Sequence, residues 1–174
     1  MKTSFFRSAA TTGLFIGLCL ILHSVLDWSF GFYGQKFAFS VLAYAIMIAG
    51  LLWGAIRYRN QELGGYISYG NALSFSVVVA IFYTLTSLIF GLILTQIIDP
   101  DYSSKVMEFA EQKLYDRGLS QAQIDMAMEM SSRFTKPAIS AVLGFFGAMI
   151  LSTIFALITS AFVQRNKSKN NPFE

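Results

Sequence analysis
Four apolar runs, at about residues 8–30, 37–57, 72–98 and 137–163, restrict this chain more than any motif in it. Crossing about 30 Å of hydrocarbon at about 1.5 Å per residue takes about 20 apolar residues, and each run meets that length. Lipid offers no partner to a backbone amide, and none of the runs alternates in and out as a barrel strand does, so helices are the remaining solution. The expected fold is all-α, an integral membrane bundle of four transmembrane helices forming one domain over residues 1–174. Only 13% of the residues are charged, about half the share usual in a soluble domain. The third run exceeds what a crossing needs and implies tilt or protrusion.

The ends of the runs set an orientation. Lys2, Arg7, Arg57, Arg59, Arg165, Lys167 and Lys169 fall on one side, against Glu62 and Glu174. An excess of Lys and Arg marks the cytoplasmic side, so both termini are expected there. The opposite side holds Lys36 and an insert, 99–136, with seven acids against five basic residues. The net charge of +3 is then topological, because a nucleic-acid binder clusters Lys and Arg on one face. Lys2 and Arg7 ahead of Ala9–Leu26 have the order of a signal peptide, yet the run is long and lacks a small-x-small cleavage site, so it reads as a retained span.

The insert has helical punctuation. Pro100 stops the third span, Asp101 or Ser103 suits a helix start, and Gly118 suits a left-handed stop after Arg117. Ser120 and Gln123 have capping-box spacing, which predicts a second helix over about 121–134. The result is a helical hairpin facing away from the cytoplasm. Its second arm puts Ile124, Ala127, Met128, Met130, Ser131 and Phe134 on one wide face, and its first arm puts Val106, Met107, Ala110 and Leu114 on a narrower stripe. These stripes either cover each other, lie on the outer leaflet, or dock a protein partner.

Within lipid the hydrophobic effect does not pair helices, so small residues that let backbones approach are the expected glue. Ser140, Gly144, Ala148, Ser152, Ala156 and Ser160 recur every four residues and predict a close-packed seam along the whole fourth helix. Gly13 and Gly17, Gly50 and Gly54, and Ala72, Ser76, Ala80 and Thr84 repeat the device. Packing within one bundle, a homo-oligomer face, or a hydrated path are the three uses of such a seam.

The landmarks also come in a recognisable order: YRN (58–60), GGYISYGNAL (64–73), IIDPDY (97–102) and GLSQAQI (118–124). In these the chain resembles an uncharacterised family of four-span membrane proteins from Bacteroidota, domain of unknown function 4199, over nearly its whole length. The resemblance implies a bacterial inner membrane and brings no activity, ligand or catalytic residue with it. The stretch TKPAIS (135–140) departs from the Asn-Pro-Leu pattern expected before the last span.

Ionisable groups within spans are functional suspects. Cys19, His23 and Asp27 share one stripe of the first helix at i, i+4 and i+8. Cys19 and Asp27 are about 12 Å apart along the axis, and no other His or Cys completes a shell, so neither a metal site nor any cofactor is expected. Asp27, beside Trp28, Phe30, Phe32 and Tyr33, is expected to meet water in an aromatic belt, with His23 one turn deeper and bonded to Asp27 or to another helix. A proton-linked site at His23 and Asp27 is the alternative. The GGYISYG segment follows a helix and has no lysine, so it is a turn and not a phosphate loop. Arg57, Arg59, Tyr66 and Tyr69 around it suit an anionic headgroup or a docking partner.

No catalytic elbow, zinc pair or nucleotide loop appears, so no enzyme is expected. The leading expectation is a non-enzymatic accessory or interaction protein that uses the outer hairpin and packs dry helices. The runner-up is a small carrier lined by His23, Tyr83, Thr84 and Gln96, which requires a cavity reaching mid-membrane. An enzyme acting on lipid requires a convergent polar pocket at a leaflet boundary.

Overall fold
The structure, a computed structural model, describes residues 2–166. Lys167, Lys169 and Glu174, used above for orientation, lie outside them. Six α-helices follow one another: α1 (Lys2–Ser29), α2 (Phe37–Glu62), α3 (Tyr69–Ile93), α4 (Tyr102–Asp116), α5 (Gln121–Phe134) and α6 (Pro137–Val163). A single π turn, Leu94–Ile98, prolongs α3. Four helices are long and apolar enough to cross a membrane, over Ser4–Ser29, Phe37–Glu62, Tyr69–Ile98 and Pro137–Val163, and they make the chain a multi-pass membrane protein. α4 and α5 form a hairpin between the third and fourth.

The spans form a ring in which α1 meets α2 and α3, and α6 meets α3 and α2. Leu18, Leu22, Ile89, Phe146, Ile150 and Phe162 face outward from it, as side chains solvated by lipid do. Glycines set the closest approaches. A Cβ on Gly13 would lie 2.5 Å from Phe82 Cβ and 2.7 Å from the Val79 carbonyl oxygen, and one on Gly50 would lie 2.6 Å from Ile16 Cγ1. Their missing side chains are thus what lets α1 seat against α3 on one side and α2 on the other. At the end bearing the termini, Phe5 packs edge-on to both Tyr58 and Phe75, whose rings stack at 4.4 Å.

The helix ends differ in detail from expectation. α2 runs through Arg57 and Arg59 to Glu62, because Arg, Asn, Gln and Glu sustain a helix once lipid length is exceeded. α3 starts at Tyr69, capped by Ser68, whose Oγ accepts from the Asn71 N–H at 3.4 Å. Gly64 and Gly65, at φ 63° and 90°, make the reversal between them in a region closed to most side chains. In the hairpin, Asp101 precedes α4 without a side-chain cap bond, whereas Gln123 Oε1 accepts from the Ser120 N–H at 3.0 Å as the capping box requires.

Candidate functional sites
At the hairpin end, the sequence stripe of α1 splits between two environments. His23 Nε2 lies 2.9 Å from the Phe39 carbonyl oxygen, so it carries the proton and donates to α2, and its ring stacks on Phe39 at 4.4 Å. Asp27 does not reach His23. It is 9% exposed instead of facing water, because the turn after α1 folds back over it: Gly34 donates its N–H to Asp27 Oδ2 at 2.8 Å, and Phe32 donates to the Asp27 carbonyl at 2.9 Å. Tyr33, with φ 47°, closes that turn and meets Tyr102 and Phe109 of α4.

The next residue of α1, Trp28, reaches the far end of α3. Its Nε1 donates to Asp99 Oδ2 at 2.9 Å, and Lys105 of α4 donates to both Asp99 oxygens at 2.9 and 2.7 Å. The π turn makes this pairing reachable: its extra residue per turn, closed by Asp99 N–H to the Leu94 carbonyl at 2.8 Å, rotates Asp99 off the lipid-facing side. The hydrogen bond from Lys105, then that from Trp28, hold the Asp99 carboxyl below the usual carboxylate range, and the same bond holds the Lys105 ammonium above its usual value. Burial, then the charge of Asp27, raise the Tyr102 phenol. This Asp99 cluster was not foreseen in the sequence; the Asp-Pro stop marks the place, but no spacing rule links residue 28 to residue 99.

α6 shows a correction. Ser152, Ala156 and Ser160 are buried, but Ser140 and Gly144 are exposed, and a Cβ on Gly144 would meet nothing within 4 Å. The seam therefore packs in one half only. Leu88 and Leu92 of α3 and Phe145 of α6 border the half where the seam stays open. A cavity of about 360 Å³ results, lined by Ser140, Gly144 and Ala148 on one side and by Tyr83, Thr84, Ser87 and Thr95 on the other. Tyr83 OH donates to Ser152 Oγ at its floor, and Ser152 donates on to the Ala148 carbonyl. Thr84 Oγ1 and Ser87 Oγ are buried without a partner. None of the lining residues is charged, His23 is not among them, and Gln96 is exposed with its amide bonded to Thr95.

At the terminal end, Arg57, Arg59, Tyr66 and Tyr69 do not form one site. Arg59 Nη1 donates to the Val163 carbonyl at 2.9 Å, and Tyr69 OH to the Leu157 carbonyl at 3.3 Å, so both tie to α6. Arg165 lies over the Tyr66 ring at 5.9 Å, and Ile67 and Arg165 exchange backbone hydrogen bonds at 3.0 and 2.9 Å. Arg57 points to the other side, over the Trp53 ring at 5.4 Å. Among the described residues no group of three His, Cys, Asp or Glu comes together to hold a metal ion.

Fold and sites together define a helical four-span membrane protein that carries a clamped hairpin. The model of the family described as protein of unknown function (DUF4199) matches residues 11–165, and the chain belongs to that family. No curated protein and no solved structure matches it.

Proposed function
We propose that the protein is a non-enzymatic accessory protein of the bacterial inner membrane, with both termini cytoplasmic, that works by protein contact through its outer hairpin. The observation that carries this reading is a row of apolar side chains left open on α5. Ile124 is fully buried, whereas Met126, Met130 and Phe134, at i, i+4 and i+8, are 67%, 59% and 54% exposed. Methionine-rich surfaces adapt to the shape of a partner. Asp125 flanks the row, and Glu129 beside it is paired with Arg133 at 3.0 Å, so this border carries net negative charge, which opposes seating on an anionic leaflet and favours a protein. The Asp99 cluster supports the reading further, since a hairpin fixed to α1 presents its row in one orientation. Basic residues at the terminal end and acids in the hairpin support the orientation.

A photo-crosslinking residue at Met130, compared with one at the exposed Glu108, tests it in native membranes. We expect a discrete protein adduct from position 130 alone, abolished by Met126→Glu. Lipid adducts only, equal adducts from both positions, or a reporter fused near Met128 active only in the cytosol refutes the proposal.

The cavity between α3 and α6 favours a second reading, a carrier for a small uncharged molecule, because it reaches Tyr83 deep in the bundle. His23 bonds to Phe39 and stands apart from that cavity, so proton coupling through it has no structural support. Gly144→Leu fills the cavity, and uptake by reconstituted vesicles that survives it unchanged excludes the carrier.

A further inference from the structure
The groove between α1 and α2 changes character along its length. Near the termini it is a polar cleft of about 510 Å³, with Arg7 and Thr12 on one wall and Arg57, Gln61 and Glu62 on the other. Directly beyond, the same two helices enclose an apolar groove of about 450 Å³, bounded by Phe15 and Cys19 on α1 and by Ala49 and Trp53 on α2. Phe15 and Trp53 meet at 5.4 Å where the two parts join, with the Arg57 guanidinium over the indole. An aromatic pair under a cation is what a membrane-water boundary selects.

The cleft holds unused donors. Arg57 Nε donates to Gln61 Oε1 at 3.0 Å, which leaves the rest of its fork free. Among the described residues the Arg7 side chain makes no hydrogen bond or ion pair. Thr12 is 5% exposed and lines the cleft, its side chain seated against Gly54 of α2. Guanidiniums with free parallel N–H groups, beside a hydroxyl, match a phosphate.

From Ser4 to Cys19 the two parts extend about 22 Å along α1, about the depth of one leaflet including its headgroups. We propose that this seam holds one anionic phospholipid of the leaflet on the terminal side, its phosphate between Arg7 and Arg57 and an acyl chain along the groove past Trp53 to Cys19. A soluble phosphate leaves the apolar part unused. This site is distinct from the hairpin row and stands whether or not that row docks a protein.

Native mass spectrometry of the full chain, released from micelles holding equal amounts of phosphatidylglycerol and phosphatidylcholine, tests the proposal. We expect one phosphatidylglycerol adduct per chain. Arg7→Gln with Arg57→Gln lowers its apparent affinity about tenfold, the loss expected when charge-assisted hydrogen bonds go. Ala49→Phe, which fills the groove without touching a charge, weakens it as well. Arg59→Gln leaves it unchanged, because Arg59 is committed to α6. Far-ultraviolet circular dichroism confirms the helices of each variant, and alkylation of Cys19, slowed several-fold by the lipid in the unmodified chain, gives a second readout. Equal retention of both lipids, displacement by glycerol 3-phosphate at equal concentration, or an equal loss in Arg59→Gln overturns the proposal.

Discussion
Trp28 and Asp99, 71 residues apart, are joined by a 2.9 Å hydrogen bond from the indole N–H to a carboxylate that Lys105 also holds. One carboxylate thereby links the end of the first span, the end of the third and the start of the hairpin. Asp99→Asn removes the charge that fixes Lys105 and should lower the thermal midpoint in detergent at neutral pH. The folded-state pKa of Asp99 lies below its unfolded value, so its stabilisation is present above about pH 4 and is lost as pH falls through the folded value. The gap between the two proteins should therefore close on acidification. Fluorescence of Trp28 in a Trp53→Phe background reports it, and a gap that does not narrow as pH falls below about 4 contradicts the assignment.

Glycine positions in the spans should fall into two classes. Gly13→Ala drives a methyl into the α3 backbone at Val79 and should cost about 1–3 kcal/mol, the range of an overpacked core. Gly144→Ala places the same methyl in open space and should be neutral or stabilising by up to about 1 kcal/mol through helix propensity. Thermal unfolding of the two variants in one detergent decides it. Equal destabilisation means that the α3/α6 cavity is closed.

Spans and hairpin were legible because each is local: apolar length near 20 residues, Pro100 as a stop and Ser120 with Gln123 as a start are properties of neighbours in sequence. What was not legible depends on pairs distant in sequence. The four-residue repeat of α6 is as regular at Ser140 and Gly144 as at Ser152 and Ala156, but whether a second helix comes close depends on residues of α3 that the repeat does not contain, among them Leu88 and Leu92 beside the open half. Arg57 and Arg59 are two residues apart, hence about 200° apart around a helix, so continuation of α2 to Glu62 sends one to the α1 groove and the other to α6. Asp27 and His23 share a stripe, yet the turn supplied by Gly34 gives Asp27 a nearer donor.

The terminal end is held by Arg59. Its guanidinium satisfies the Val163 carbonyl, one of those left open at the end of α6, and the Ile67–Arg165 bridge continues the contact. Arg59→Gln should cost about 1 kcal/mol, a charge-assisted bond discounted for partial exposure. Local opening should then speed amide exchange at Ile67 and Arg165 about fivefold while the Asp99 cluster stays protected. Uniform acceleration across the chain contradicts a local role.

Thr84 offers the sharpest test of what fills the α3/α6 cavity. Its Oγ1 is buried with no partner, so Thr84→Val, which keeps the shape and removes the unmade bond, should hold stability or raise it by up to about 2 kcal/mol. Tyr83→Phe breaks a made bond, and Ser152 keeps its own link to the Ala148 carbonyl, so the loss should be about 1 kcal/mol. A dry cavity gives this opposite pair of signs in thermal unfolding. If Thr84→Val instead destabilises the chain by more than about 1 kcal/mol, the hydroxyl bonds a polar occupant, and the carrier reading gains over the contact protein.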